Sequence, residues 1–275
     1  MAYKTTDEFI EISGKKLECR WFGPQPDEAP TIVALHEGLG CVSLWRDFPD
    51  KLSKAAGMGV FVYSRAGYGR SDPADLPRPI TYMHDEATET LPAVLDAIGF
   101  ERGLLFGHSD GASIAAIYTG SIEDHRVRGL VLLAPHFFVE DVTIQSIDEA
   151  NRDYESGDLR KKLGVFHGDN VDCAFKGWAD AWLNPEFREW SIEDCIAHIR
   201  VPTQIVQGND DKYGTRAQID LAQDEAYSPV DAVFVDDCGH APHLEKPEET
   251  LAATMEFIDR LNAMEGLIPT HERTG

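Results

Sequence analysis

Ser109 stands in Gly107-His108-Ser109-Asp110-Gly111, a Gly-x-Ser-x-Gly pentapeptide, and a serine in such a turn is a candidate nucleophile. Near neutral pH a serine hydroxyl attacks a carbonyl poorly, so it needs a base, and the base needs a carboxylate to orient it. Both follow downstream. Carboxylates occur in Gln207-Gly208-Asn209-Asp210-Asp211-Lys212, and an imidazole in Asp237-Cys238-Gly239-His240-Ala241-Pro242. The chemistry this set supports is acyl transfer, with His240 taking the hydroxyl proton as Ser109 attacks. Asp210 and Asp211 are both candidates for the orienter, and the one not used then reads as an exposed turn carboxylate.

Such a constellation needs elements that bring distant residues together. An apolar run at 103–106 leads into the elbow, and an Ala/Ile-rich stretch of helical character follows it. Strand, tight turn and helix is the order this motif requires. Gly107 and Gly111 give the turn its clearance, and Ser109 would stand over the positive end of the helix. Further buried-strand runs occur at 31–36, 59–63, 127–133, 202–207 and 232–235, and residues 9–12 and 17–22 flank Gly14-Lys15 as a hairpin. Helical patterns fill 45–56, 82–98 (with Pro92 as a kink) and 251–264, leaving 267–275 as a loose tail. Strands alternating with helices predict βαβ crossovers and a mostly parallel sheet, whose C-terminal edge collects ligands. Ser109, Asp211 and His240 each follow a predicted strand at that edge. Between 137 and 198 the strands stop, and the chain is helical, charged and aromatic, with Phe137, Phe138, Phe166, Phe175, Trp178, Trp182 and Trp190. His167-Gly168-Asp169-Asn170 is a polar break there, at a pocket entrance or simply a turn.

With Leu35-His36-Glu37-Gly38 and Ser64-Arg65-Ala66-Gly67-Tyr68-Gly69-Arg70-Ser71 added, nearly the whole chain resembles the α/β-hydrolase fold family. The resemblance implies an α/β fold: a mostly parallel eight-stranded sheet flanked by helices, with a small helical cap inserted after the sixth strand. The core would comprise 1–136 and 199–275, and the cap 137–198. It makes Ser109 the nucleophile, His240 the general base and acid, and Asp211 the orienting carboxylate. The oxyanion hole would use the backbone N–H of Asp110 and that of Gly38, with Leu39 as the alternative to Gly38. Glu37 departs from the family pattern, because it occupies a position where glycine is common. Its charge would oppose a developing oxyanion unless it points away or pairs, and Arg65 is the expected partner. Glu37, His108, Trp178 and Trp182 are candidates for contact with substrate, although His108 also reads as packed beneath the elbow. His36 is expected to support its loop by hydrogen bonds, and His243 to lie at the surface or behind the site.

Composition narrows the role. The chain has 48 Asp+Glu against 25 Lys+Arg, a formal charge of −23, which disfavours nucleic acid and anionic membrane surfaces as partners. No window has the length and apolarity of a membrane span, and residues 1–12 hold no apolar leader stretch. Five scattered cysteines without a C-x-x-C pair point to reduced thiols and the cytoplasm. No metal-ligand spacing or cofactor motif is present, so no cofactor is expected. The sequence therefore predicts a serine hydrolase acting on small carboxylic esters or related carbonyl substrates. A carbon–carbon bond hydrolase of aromatic ring-fission products would use the same triad. A non-catalytic ligand-binding protein on the same fold is the alternative of another kind. A small molecule is the expected partner, and the sequence leaves a homo-oligomer open.

Overall fold

Strands that are apolar at nearly every position must be covered on both faces, and this sequence supplies four of them in succession. The computed structural model describes residues 6–266, so the tail expected at 267–275 lies outside the described residues. Eight strands form one sheet: β1 (Thr6–Ile12), β2 (Lys15–Phe22), β3 (Thr31–Leu35), β4 (Gly59–Tyr63), β5 (Gly103–His108), β6 (Val127–Leu133), β7 (Thr203–Gly208) and β8 (Val230–Val235). Their spatial order is β1-β2-β4-β3-β5-β6-β7-β8. β1 and β2 form the predicted antiparallel hairpin, β2 runs antiparallel to β4, and every other pairing is parallel.

Period-two alternation divides the strand side chains between two cores. Val33, Leu35, Leu105, Leu130, Leu132 and Ile205 belong to one, and Ile32, Ala34, Leu104, Phe106, Val131, Leu133 and Val206 to the other. The second core is closed by Phe48 and Leu52 of α1 (Phe48–Ala56) together with Phe257, Ile258 and Leu261 of the last helix. The first receives α2 (Tyr82–Asp85), α3 (Leu91–Ala97) and α4 (Asp110–Ser121). Small and apolar residues around the whole circumference of α4 let it sit buried against the sheet.

Two helices break where prolines dictate. The helical pattern at 45–56 divides into a 3₁₀ turn (Val42–Trp45) and α1, because Pro49 is tolerated only in a first turn. The pattern at 82–98 is interrupted by a π-helical turn at Glu86–Thr90, just before Pro92. Pro92 offers no N–H to the carbonyl four residues earlier, and a widened turn relieves its ring contact. The irregularity therefore precedes the proline instead of kinking the helix at it.

Between β6 and β7 come α5 (Asp141–Ser156), α6 (Leu159–His167), α7 (Val171–Trp182) and α8 (Glu193–Ile196). After β7 follow α9 (Arg216–Glu225), β8, α10 (Pro242–Glu245) and α11 (Pro247–Met264). No described helix is long and apolar enough to cross a membrane.

The strand order reverses between β3 and β5, which is where an open α/β sheet forms its ligand crevice. Leu35 is in register with Gly107, so the loop after β3 emerges beside the elbow after β5. The approach is close: a Cβ at Gly111 would lie 2.0 Å from the carbonyl oxygen of Leu35, and one at Gly107 2.4 Å from that of Gly111. Gly111→Ala should gain helix propensity yet destabilise the fold by at least about 2 kcal/mol, because rigid backbone stands in the way. Urea denaturation of the variant checks this, and an unchanged midpoint would contradict it.

Candidate active site

Ser109 is held at φ 52° and ψ −117°, a conformation that non-glycine residues rarely adopt. Its backbone is fixed on both sides. Ser109 N–H donates to Leu133 O at 2.9 Å, and Ser109 O accepts from Ala112 N–H at 2.8 Å and Ser113 N–H at 3.0 Å. The side chain thus stands at the end of α4 that carries unpaired amide donors.

Asp211 follows β7 and His240 follows β8, and the parallel pairing of these strands brings the two loops together. His240 Nδ1 lies 2.9 and 2.8 Å from the two carboxylate oxygens of Asp211. Asp211 also accepts Tyr213 N–H at 2.8 Å and Gln207 Nε2–H at 2.7 Å. Burial pushes the Asp211 carboxyl up, but His240 and these two donors outweigh it and hold the group at about 2. A carboxylate facing Nδ1 fixes the proton on that nitrogen, which leaves Nε2 as the basic atom. Asp210 is exposed, as expected of the aspartate not chosen.

Ser109, Asp110, His240, Glu37, Gly38, Leu39, Trp178 and Trp182 line one cavity of about 120 Å³. Phe137, Phe175 and Phe187 are instead fully buried packing residues. Four further residues, His136, Thr143, Ile147 and Tyr213, complete the wall. Sequence reasoning gave none of these a role in the site. His136 had a usable signal, since it lies just past β6 on the same sheet edge as the triad. Its ring centroid is 5.6 Å from that of His240 and 5.2 Å from that of Trp182. Burial first, then the neighbouring His240, pushes its pKa down to about 3, so it faces the cavity neutral.

The loop after β3 is shaped by Arg65, which is 1% exposed. The backbone N–H of Arg65 donates to His36 Nε2 at 3.0 Å, while its guanidinium donates to His36 O at 2.5 Å and Glu37 O at 3.0 Å. In a planar trans peptide the C=O and N–H point in opposite directions. Holding the Glu37 carbonyl therefore turns the N–H of Gly38 away from Arg65. Among the described residues the N–H groups of Asp110, Gly38 and Leu39 have no hydrogen-bond acceptor. Gly38 carries no side chain because the indole of Trp178 occupies that space, with Nε1 only 2.2 Å from where a Cβ would sit.

The expected pairing of Arg65 with the Glu37 carboxylate is corrected by the structure. Arg65 binds the Glu37 carbonyl, and the carboxylate turns under the elbow to His108, with Oε2 3.3 Å from Nδ1. The reason is reach and competition: the guanidinium is already committed to two carbonyls, and Asp110 and Glu86 supply its counter-charge. His108 is buried beneath the elbow and does not line the cavity. Asp110 turns its carboxylate away from the cavity as well, accepting the Tyr82 hydroxyl, which in turn accepts Trp182 Nε1–H at 3.0 Å. His243 is buried against Trp45 and His108, not at the surface. The polar break at 167–170 is neither an entrance nor a bare turn. His167 accepts Gly69 N–H at 3.0 Å and donates to Leu39 O at 3.0 Å, tying α6 to the loop after β3.

The sequence matches the alpha/beta hydrolase family over residues 32–254, and the chain belongs to that family. Proline iminopeptidase of Lactobacillus helveticus is 23% identical over 270 residues, covering 85% of this chain and 91% of that protein. The 2-hydroxy-6-oxo-6-phenylhexa-2,4-dienoate hydrolase of Comamonas testosteroni is also 23% identical, covering 92% and 96%. Among solved structures, an esterase from Exiguobacterium antarcticum superposes with a TM-score of 0.74 at 18% identity, covering 92% of this chain and all of that one. The family and these relatives make the protein a hydrolase by kinship, while the substrates named differ from one relative to the next.

Arg65→Ala should cost about 3 kcal/mol of stability, since it leaves two buried carbonyls and nearby carboxylates without their cation. It should also lower turnover by about 100-fold through loss of one aimed donor. Thermal melts and steady-state rates on the same samples check both, and wild-type values in either would contradict the anchoring role.

Proposed function

We propose that the protein is a serine hydrolase that cleaves small carboxylic esters or related carbonyl compounds through an acyl-enzyme. The observation that carries this reading is His240, held from behind by Asp211, on the same cavity as Ser109, with unpartnered amide donors beside it. Ser109 Oγ attacks the carbonyl carbon as His240 Nε2 takes its proton, and Asp211 stabilises the imidazolium that forms. The N–H groups of Asp110 and Gly38 donate to the carbonyl oxygen as negative charge develops on it. His240 then delivers the proton to the leaving alkoxide, and the bond from carbonyl carbon to leaving oxygen breaks. Water, deprotonated by the same Nε2, releases the acid and restores Ser109.

The α5–α8 block acts as a cap that supplies Thr143, Ile147, Trp178 and Trp182 to the acyl site. These walls suit a compact apolar or aromatic acyl group. Carbon–carbon cleavage of a dienoate receives less support. Such a substrate carries its own carboxylate, and the described cavity wall holds no lysine or arginine to receive it. Five scattered cysteines without a C-x-x-C pair support a cytoplasmic setting.

A substrate panel tests the proposal, with Ser109→Ala protein as the blank. Nitrophenyl esters of increasing acyl length, a prolyl anilide and a ring-fission dienoate are assayed in parallel. Short or aromatic esters should turn over fastest, and Asp211→Asn should slow them by about 10⁴-fold. Turnover of the dienoate alone, or ester turnover that survives Ser109→Ala, would overturn the assignment.

A further inference from the structure

The partly exposed Glu37 and the buried His108 are a pair on which the mechanism above places no demand, yet they touch both loops that flank the nucleophile. His108 Nε2 lies 2.7 Å from the carbonyl oxygen of His240. A carbonyl only accepts, so that nitrogen carries a proton. His108 Nδ1 faces the Glu37 carboxylate at 3.3 Å, and an ionised carboxylate also only accepts. Both contacts are satisfied together when the imidazole carries two protons and the carboxylate none.

We infer that Glu37 and His108 form a charged latch fixing the backbone of His240 against the elbow, so that both are positioning residues for Ser109 chemistry. The inference rests on the hydrolase reading. One imidazolium thus ties together the loop after β3, the elbow after β5 and the loop after β8. A neutral imidazole has a single N–H and could hold only one of its two partners. The surroundings make the carboxylate necessary. His243 and His240 present rings at 4.8 and 5.2 Å, and His136 adds a third imidazole nearby. On the other side, Asp211 acts on His108 with the same sign as Glu37, and His36 faces Glu37. Burial opposes the second proton on His108, but the Glu37 hydrogen bond and charge outweigh it and raise the group above the ordinary imidazole range. Burial likewise pushes Glu37 up, and His108 more than reverses this, keeping the carboxylate ionised. An acidic residue at a glycine position beside the oxyanion site then has a use, and its charge is answered from below.

The linkage has a definite sign. His108, raised in the folded state, contributes fully below its unfolded value of about 6.5 and loses that contribution as pH rises through its folded value. Glu37, lowered in the folded state, contributes above its unfolded value of about 4.3 and loses that only in strong acid. The latch is therefore closed between these limits and opens on the alkaline side.

The test is the pH dependence of kcat and KM on the best nitrophenyl ester for wild type, Glu37→Gln, His108→Gln and the double variant. Glu37→Gln should lower kcat by about 10- to 100-fold with KM little changed, since the amide removes the negative charge that holds the second proton on His108. Its alkaline limb should move to lower pH, because His108 gives up the second proton sooner. The double variant strands no buried charge, and Gln at 108 can still donate to the His240 carbonyl. Its loss should therefore be smaller than the product of the single losses. Thermal melts separate unfolding from mispositioning. If Glu37→Gln does not fold, Glu37→Asp must keep the wild-type alkaline limb while His108→Gln loses it. Wild-type kcat and an unmoved limb in Glu37→Gln, or losses that simply multiply, would overturn the latch. A wild-type protein inactive on every ester would instead refute the hydrolase reading.

Discussion

Parallel pairing of β3 with β5 is the constraint on which the site depends. Leu35 and Gly107 stand side by side, so the chain leaving β3 and the chain turning after β5 occupy almost the same space. Only glycine at 107 and 111 allows it, because a Cβ at either position would meet backbone. That closeness puts the amides of Gly38 and Asp110 on one cavity with Ser109. The same strand order carries β7 and β8 outward in sequence, so their C-terminal loops deliver Asp211 and His240 to the same edge.

Charge in this region is managed by pairing and by direction. A buried ion pair adds little net stability but fixes geometry, and breaking one partner away is costly. Arg65 fixes geometry through carbonyls instead: its cation is spent on two of them, and the orientation of one peptide follows. Two carboxylates beside Ser109 turn to partners of their own, Glu37 to His108 and Asp110 to Tyr82. The amide N–H groups of Asp110, Gly38 and Leu39 are left without an acceptor among the described residues, although the chain as a whole carries a formal charge of −23.

Much of this was legible in the sequence for physical reasons. Buried strands read as continuous apolar runs, and the end of each run marks the edge where Ser109, His240 and an aspartate must emerge. Turn chemistry narrowed the aspartate to two neighbours, and the loop geometry after β7 put Asp211 on His240 and left Asp210 exposed. Side-chain direction was not legible. Glu37 had two cations or potential cations in reach, Arg65 and His108. The choice between them depended on carbonyls that compete for the guanidinium, which no pattern of residue types records. His136, Thr143, Ile147 and Tyr213 were missed for a related reason, because they line the cavity from elements whose packing alone brings them there. The π-helical turn before Pro92 shows the same limit: the proline announces an irregularity, but residue types alone do not say which turn of the helix absorbs it.

The central claim is that His240 and the amide donors beside Ser109 activate that one hydroxyl, and mass spectrometry after exposure to a fluorophosphonate tests it most directly. The account predicts a single adduct on the peptide carrying Ser109, formed rapidly in wild type and far more slowly in His240→Ala. No adduct, an adduct on another residue, or labelling indifferent to His240 would contradict it.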